Sequence, residues 1–516
     1  MFNLRAPRGA VLLASAAALA GLTAAHDAVA GTIGDFTPGD LVISTVSCSV
    51  GSTACGSSGP TGGGLDTAAP IVLQEFQLGT GGTSATTVGT LTLPQTSSGA
   101  NSAISGEYGS ASEGFLQQSV NGQYLTIVGY GVNANTFNTA PLSAYGTAAL
   151  GQTTSLTGQS VTTVPRVVAL IGVDGSVDTS TALTGVFNMN NPRDATTVDG
   201  SSFYVSGQGV TGDGTGGVFY ALRGATTATP INANTTTPSG SDNGTENPLL
   251  ATETRAVEIV NNGSGDTLYV SRDYAAKGSP NDTTDIRTLT NGSGGLPTSS
   301  SGLVADRIVP GVGSVQGGNT GSIDLTKSLD NNVNSARNGS FVYLSPEQFF
   351  FANATTLYVA DSGEPKNGNA NKAALGEGGL QKWSLVNGTW MLDYDLYAGL
   401  SLVNNASADS NTPAAPGVTG LFGLTGEVVG GNVELFATSY GLNELSPSYL
   451  YEITDDLADT KSSQVTGESF TTLYAAPDGT SIRGVAFAPV PEPASIALLA
   501  TALTGVGLLR RRAAKG

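Results

Sequence analysis

Short strand-like cores recur along the chain, each preceded by turn residues and followed by small polar ones. Every core contains adjacent aromatic, β-branched or other apolar residues, a composition typical of β-strands. Their first apolar positions lie 65 to 89 residues apart, which indicates one repeated supersecondary unit. The six cores are Asp40–Ile43, Gln123–Thr126, Ser202–Val205, Thr267–Val270, Thr356–Val359 and Glu434–Ala437.

Tight turns join most of these cores to another short strand ahead of them. Dipeptides of glycine with asparagine, aspartate or glycine between two strand patterns are strong hairpin signals, and they occur at 121–122, 199–200, 262–263 and 430–431. The strands before these turns are predicted at 113–116, 192–195, 254–257 and 420–423. A third strand is predicted at 167–170, 218–220, 380–383 and 449–451. A hairpin followed by a third strand, repeated along the chain, predicts antiparallel blades.

The two ends of the strand-rich region carry complementary halves of such a blade. Ser481–Phe487 has the pattern of a first strand with no core after it, and Leu41–Ile43 is a core with no first strand before it. Pairing them would close a ring, as propellers do to avoid exposed sheet edges. We therefore predict an all-β fold, a β-propeller closed by N- and C-terminal strands that share a blade. Six blades are favoured and seven come next; a β-helix or a tandem of β-sandwiches is the alternative.

The composition supports a folded and acidic domain. Hydrophobic residues make up 39% of the chain, enough for a core, while charged residues make up 12%, compared with about 25% in ordinary soluble domains. The 40 acidic and 21 basic residues give a net charge of −19. Such a surface repels phosphate groups, so nucleic acid is excluded as a partner.

The N-terminus has the three parts of a secretory signal peptide. Met1–Arg8 carries two arginines, Ala10–Ala25 is apolar, and Ala28-Val29-Ala30 forms a small-residue cleavage site. We predict that residues 1–30 are removed by cleavage between Ala30 and Gly31. The single histidine, His26, would leave with them. The mature chain would then have no histidine for a Ser-His-Asp or Cys-His catalytic site or for a His-liganded metal.

The only two cysteines, Cys48 and Cys55, lie in a segment rich in glycine and serine. In an exported chain this spacing predicts a disulfide that closes a short loop. A metal site is the weaker interpretation, because no further soft ligand is available.

The C-terminal sequence has the pattern of a membrane-targeting signal. The sequence Val490-Pro491-Glu492-Pro493 is followed by the apolar run Ala494–Leu509 and then by Arg510, Arg511 and Arg512. Sixteen residues span about 24 Å as a helix, the short end of what crosses a bilayer. The arginines would stop transfer on the cytoplasmic side. The predicted organisation is a signal peptide (1–30), an ectodomain (31–489) and a C-terminal tail with a transmembrane helix (490–516).

This tail resembles the PEP-CTERM sorting domain of exported Gram-negative bacterial proteins, because motif, apolar helix and arginine cluster occur in order. The resemblance covers about 27 residues. It implies recognition of Pro491, Glu492 and Pro493 by an exosortase, a membrane cysteine transpeptidase, and cleavage near these residues. It further implies an intermediate in the inner membrane and a final location at the cell surface or outside the cell, often in bacteria that make exopolysaccharide.

Candidate ligand contacts come from arginines that recur at equivalent places. Arg193, Arg255 and Arg483 lie on three predicted first strands, in a domain with few basic residues. One interpretation is a cationic ring at the channel mouth that binds a carboxylate or another anion. In the other, each arginine satisfies strand carbonyls or pairs with an acid such as Asp194.

Acidic turns supply weaker candidates. Asp174, Asp178 and Asp361 lie in Asp- and Gly-containing turns that offer oxygens to Ca²⁺, although ordinary turn formation also explains them. Asp361 with Glu364, or Glu427 with Glu434, would be the carboxylate pairs of a glycosidase. We predict no resident cofactor, with Ca²⁺ as the one candidate.

These features predict an exported, non-enzymatic propeller that binds polysaccharide or another matrix component in a biofilm. Trp383 and Trp390 are the best candidates for stacking on sugars, unless they pack within the fold. The alternative is a Ca²⁺-dependent propeller enzyme outside the cell, either a hydrolase, a lactonase or a lyase.

Overall fold

The computed structural model describes residues 31–48, 66–110, 112–210, 212–233, 254–261, 263, 265–272, 285–309, 323–324, 341–342, 345–363, 378–400, 402, 417–441 and 446–492. The predicted signal peptide, Cys55, Pro493 and the apolar run 494–509 with its arginines lie outside these residues. No helix within them is long and apolar enough to cross a membrane.

The described residues are nearly all in strands and connecting turns, which confirms the all-β prediction. Two short helices, α1 (Ala134–Thr139) and α2 (Leu142–Tyr145), interrupt one connection and were not predicted. The strands of the first half are β1 (Gly31–Thr32), β2 (Leu41–Ser47), β3 (Ala68–Leu78), β4 (Ala85–Thr92), β5 (Ser105–Glu107), β6 (Gln117–Gln118), β7 (Tyr124–Tyr130), β8 (Arg166–Gly172), β9 (Val177–Leu183), β10 (Pro192–Thr196), β11 (Ser202–Gly207), β12 (Gly217–Leu222) and β13 (Thr229–Ala233).

The second half continues the same pattern of short antiparallel strands. These are β14 (Thr254–Asn261), β15 (Asp266–Arg272), β16 (Asp285–Thr290), β17 (Val304–Val309), β18 (Ile323–Asp324), β19 (Phe341–Val342), β20 (Pro346–Asn353), β21 (Thr356–Asp361), β22 (Gly379–Val386), β23 (Thr389–Leu396), β24 (Val418–Val429), β25 (Asn432–Gly441), β26 (Tyr449–Asp456), β27 (Thr471–Ala475) and β28 (Thr480–Phe487). The apolar residues of all six predicted cores lie in strands, namely β2, β7, β11, β15, β21 and β25, although Asp40 and Gln123 directly precede theirs.

The sheets have a propeller-like arrangement. Four separate four-stranded sheets follow one another along the chain: β10–β13, β14–β17, β20–β23 and β24–β27. A ten-stranded sheet contains the two further four-strand arrays β28-β2-β3-β4 and β6-β7-β8-β9. In the described part of the chain β18 and β19 pair only with each other.

The blade count differs from the predicted six, with seven next, because within the described residues only four four-stranded sheets are separate and the other two four-strand arrays are joined. The cause is the length of β3. Its first residues, Ala68–Pro70, pair with β5, whereas Ile71–Leu78 pair with β2 or β4. One strand thus belongs to both arrays and joins them into a single sheet.

The predicted pairing of the two chain ends is confirmed. β2 pairs antiparallel with β28, with Leu41 opposite Phe487 and Val46 opposite Ser481. Apolar residues of this array pack on the sheet β24–β27, where Phe436 meets Phe487 at 5.7 Å between ring centroids. Burial of these side chains stabilises the junction of the two ends.

The first strands of the sheets and arrays contact one another in a closed cycle. β6 contacts β10, and the cycle continues through β14, β20, β24 and β28 back to β6. We call the end of this ring where the first strands begin the upper face, and the end where they lead into the hairpin turns the lower face. Gly122, Gly200, Gly263 and Gly430 of those turns have positive φ, as the predicted turns require.

One predicted first strand differs from the structure. Residues 113–116 are not a strand, and β6 begins only at Gln117. The carboxylate of Glu113 accepts hydrogen bonds from Tyr130 and Asn191, and Gly114 has a φ of +90°. These contacts keep residues 113–116 out of the ladder that β6 forms with β7.

Buried hydroxyl groups link neighbouring sheets and arrays near the upper face. Each lies on a second strand and donates to a carbonyl on the first strand of the next array, or just before that strand in the case of Gly114: Ser44 to Gly114 (2.7 Å), Thr126 to Ala195 (2.5 Å), Ser206 to Arg255 (2.6 Å), Ser271 to Glu347 (2.7 Å) and Thr438 to Arg483 (2.5 Å). We call these five residues the hydroxyl clasps. They satisfy buried backbone groups that no ladder reaches.

Bulges in the first strands make room for these clasps. In β14 the ladder passes from Thr254 to Val257, so that the Ala256 N–H is free of the ladder and donates to Ser271 Oγ at 3.0 Å. In β24 the Gly423 N–H donates to Thr438 Oγ1 at 2.8 Å in the same way. A clasp hydroxyl therefore bonds both its own first strand and the next one.

Candidate functional site on the upper face

The three recurrent arginines lie on first strands near the upper face, but all three side chains are buried. Arg193 Nη2 donates to Gln208 Oε1 at 3.0 Å, and Arg483 Nη2 donates to the Tyr108 carbonyl at 2.9 Å. Arg255 Nη1 lies 3.7 Å from Glu347 Oε1, with both side chains fully buried. Protein groups thus engage all three guanidinium groups.

Glu347 changes the interpretation of a cationic ring. It follows the first residue of β20 just as Arg255 follows the first residue of β14, and each carbonyl accepts a clasp hydroxyl. The equivalent positions therefore carry both signs of charge. Ser362 Oγ donates a further hydrogen bond to Glu347 Oε1 at 3.0 Å.

A buried polar cluster lies beside Arg483. Tyr130 OH donates to Glu113 Oε2 at 2.9 Å, and Asn191 Nδ2 donates to the same oxygen at 3.0 Å. The Glu107 backbone N–H donates to Glu113 Oε1. Through these bonds Glu113 joins the segment before β6, the end of β7 and the start of β10.

Burial sets the electrostatics of this cluster. It raises the pKa of Glu113 above its ordinary value, against the opposing effect of the hydrogen bonds and of the Arg483 charge. Burial also lowers the pKa of Arg166 to about 10. The Arg166 guanidinium lies 4.7 Å from the centroid of the Tyr130 ring and donates to the carbonyls of Thr153, Val164 and Phe187.

A cleft opens next to Arg483 on the upper face. Phe422, Tyr440 and Arg483 line it together with the serine-containing segments 446–448 and 481–482. Phe422 stacks on Phe115 with ring centroids 4.1 Å apart, which fixes the apolar wall. The cleft is small, because Phe422, Tyr440 and Arg483 are only 2%, 5% and 6% exposed; its aromatic, hydroxyl and guanidinium groups are of the kinds that contact sugars and carboxylates.

Two further carboxylates lie on neighbouring first strands in the ring. Asp194 is buried and accepts from Gln117 Nε2, the Val257 N–H and the Ala195 N–H at 2.8 to 2.9 Å. Burial raises the pKa of Asp194 to about 7. Burial, and then the charge of Asp194, raises the pKa of Glu258 well above its ordinary value.

The proposed calcium ligands are held by other protein groups. Asp178 forms an ion pair with Arg223 (2.6 Å), Asp174 accepts from the Ser176 N–H, and Asp361 accepts from Gln381 Nε2 (2.7 Å) and the Gly363 N–H. Within the described residues no three His, Cys, Asp or Glu side chains are grouped to hold a metal. Glu427 and Glu434 are cross-strand neighbours at the β24–β25 hairpin, and Glu364 lies outside the described residues.

The predicted sugar-stacking tryptophans are core residues. Trp383 is fully buried and donates through Nε1 to Gln381 Oε1, and Trp390 packs edge-on against Phe351 at 5.9 Å. The alternative that they pack within the fold is therefore confirmed, and neither is exposed for stacking on a sugar. Both lie in β22 and β23, where their large apolar area fills the space between sheets.

The sorting and export residues that the structure describes lie at the edges of the propeller. Gly31 begins β1, which pairs with β4, and Cys48 is disulfide-bonded. After β28 the Val490 N–H donates to the Gly122 carbonyl on the lower face at 2.8 Å. Pro491 is partly exposed and Glu492 is exposed.

Sequence reasoning missed the members of the polar cluster. Glu107, Tyr130 and Asn191 are spread over 84 positions without a repeating motif, and only the ring brings them together. Asn191 directly precedes the predicted first strand 192–195, and Glu113 begins the predicted first strand 113–116. Their position at the start of a first strand is the signal that could have suggested both residues.

Comparison with known proteins gives distant structural neighbours. No family model matches this chain, and no curated protein matches it. An α-L-arabinofuranosidase from Lactobacillus brevis is 10% identical over 55% of this chain and 71% of its own, with a TM-score of 0.26. An ancestral GH74 enzyme is 13% identical over 80% of this chain and 40% of its own, with a TM-score of 0.31. A xylan β-1,4-xylosidase from Bacillus halodurans C-125 is 9% identical over 81% of each chain, with a TM-score of 0.20. Similarity at this level supports no inference about activity.

Proposed function

We propose that this chain is an exported cell-surface protein, sorted by an exosortase, whose upper face binds an extracellular polysaccharide. The observation that carries the proposal is the position of the tail. The chain leaves the propeller at Val490 on the lower face, and the sorting residues follow at once, with Pro491 and Glu492 at the surface. A membrane enzyme can reach them without unfolding a strand.

The cleft lies at the other end of the ring. Arg483 lines it near the start of β28, and the tail begins just beyond the end of the same strand. At about 3.3 Å per residue, the eight residues of β28 separate the two ends by roughly 25 Å. A protein held by its tail would thus direct the cleft away from the membrane, toward the matrix.

Sorting is tested by replacing Pro491, Glu492 and Pro493 with alanine in the full chain. We expect the variant to accumulate in the membrane fraction with its C-terminal tail intact. The matched control is Pro477→Ala with Asp478→Ala, the same kind of change in an exposed turn on the upper face. Equal processing of both variants would refute the role of the motif.

Polysaccharide binding is tested with Tyr440→Ala and with the exopolysaccharide isolated from the producing cells. We expect this variant to lose at least tenfold in affinity, because Tyr440 lines the cleft and packs near Phe422 at 6.3 Å. Tyr474→Ala removes a comparable ring that packs on Phe76 in another part of the propeller, and it should bind normally. Equal binding by both variants, or no binding by the unaltered chain, would refute the proposal.

A further inference from the structure

A lysine and an aspartate from different sheets meet in the interior of the protein. Lys382 of β22 and Asp455 of β26 have fully buried side chains, and Nζ lies 2.7 Å from Asp455 Oδ2. The two residues are 73 positions apart. Their strands belong to separate sheets, β20–β23 and β24–β27. This contact therefore joins two sheets that share no backbone ladder.

The surrounding groups hold the two reacting atoms together. Nζ also donates to Tyr394 OH at 2.9 Å and to the Asp456 carbonyl at 2.7 Å. Tyr394 OH donates to Asp455 Oδ1 at 2.7 Å, and Tyr358 OH donates to Oδ2. The rings of Tyr358 and Tyr394 lie 5.6 and 5.2 Å from Nζ and exclude water.

A second carboxyl group completes the arrangement. Glu468, in the connection between β26 and β27, hydrogen-bonds to the Asp455 side chain. Burial, together with Asp455, raises the pKa of Glu468 to about 8, so that it carries a proton near neutral pH. A half-buried, protonated carboxyl group next to a carboxylate can act as the proton donor in general acid catalysis.

We propose that Lys382 and Asp455 form an intramolecular isopeptide bond, with Glu468 as the general acid and base. In the dry site the ion pair passes a proton from Nζ to Asp455, which leaves a neutral amine and a carboxylic acid. The Nζ lone pair then attacks the Asp455 carboxyl carbon, and the tyrosine hydroxyls stabilise the developing oxyanion.

The remaining steps balance within the site. Glu468 donates its proton to the departing hydroxyl group, which leaves as water, and takes back one proton from the nitrogen. One C–N bond forms, one C–O bond breaks, and one water leaves. No oxidant, reductant or other reactant is needed, because the positioning of the two groups replaces chemical activation.

The chain offers a direct test by trypsin digestion under denaturing conditions. Trypsin cannot cleave after an acylated Lys382, and no lysine or arginine lies between Lys382 and Lys461. For the full chain we expect a single peptide, 373–461, that is one water lighter than its sequence. A second digestion after glutamate should leave two fragments linked through Lys382 and Asp455. Release of peptide 373–382 with a free Lys382 would overturn the proposal.

One variant tests the isopeptide bond itself, and a second tests the role of Glu468 in forming it. Asp455→Ala must release peptide 373–382, and Glu468→Gln must leave most of the chain unlinked while circular dichroism shows that it folds. The matched control is Glu452→Gln, a buried glutamate of β26 outside this site, which should retain the link. A fully linked Glu468→Gln variant would overturn the role of Glu468.

Discussion

The Arg483 guanidinium donates a 2.9 Å hydrogen bond to the backbone carbonyl of Tyr108, 375 positions earlier in the chain. Arg483 lies on β28, the last strand, and Tyr108 precedes β6, so this bond joins the two ends of the propeller beside the cleft. The buried side chain also lies near Glu113, whose pKa its charge lowers against the effect of burial. Arg483 thus contributes both to the closure of the fold and to the upper face beside the cleft.

Replacing Arg483 with methionine should destabilise the chain by about 2–3 kcal/mol, because a buried charged hydrogen bond is lost. The midpoint of urea unfolding measures this change. Arg223→Met is the control, since Arg223 is 45% exposed in its ion pair with Asp178, and such a pair contributes less than about 1 kcal/mol. Equal losses in both variants would contradict the role given to Arg483.

The hydroxyl clasps should contribute to stability without touching any ligand. Ser271→Ala removes a donor to Glu347 and an acceptor for Ala256, both buried, and should cost about 1–3 kcal/mol in unfolding free energy. Ser301→Ala, at an exposed turn, should change it by less than about 0.5 kcal/mol. Thermal unfolding of both variants measures these changes. An unchanged stability of Ser271→Ala would contradict the stabilising role of the hydroxyl clasps.

Glu258 should make stability fall as pH rises. Burial raises its pKa in the folded chain, so its contribution is full below the unfolded value near 4.5 and is lost as pH increases toward the folded value. Glu258→Gln should therefore match the unaltered chain at acidic pH and become relatively more stable toward pH 8. Melting temperatures across this range provide the test, with Glu427→Gln as a control for removing one negative charge. A constant difference between Glu258→Gln and the unaltered chain would refute the shift.

The second strands could be predicted from sequence because each lies between two others and is covered on both faces. Leu357, Tyr358 and Val359 in β21 are all fully buried, and this makes a visible apolar run. The first strands were harder to predict, since bulges and polar contacts interrupt them, as at residues 113–116.

The number of separate sheets could not be predicted, because spacing between cores does not reveal that β3 pairs in two arrays. Lys382 and Asp455 were missed for a similar reason. Each looks like an ordinary solvent-facing charge in its own strand, and only the packing of two sheets buries them together. The arginines were located correctly on first strands, whereas their neighbours in space, such as Glu347, came from other sheets.

The most direct test of the proposed export and sorting is to determine both termini of the protein recovered from the surface of producing cells. Terminal peptides are identified by mass spectrometry after extraction. The account predicts an N-terminus at Gly31 and a C-terminus near Pro491–Pro493, with the apolar run 494–509 and Arg510–Arg512 removed. A surface protein that begins at Met1, or that retains Arg510–Arg512, would contradict it.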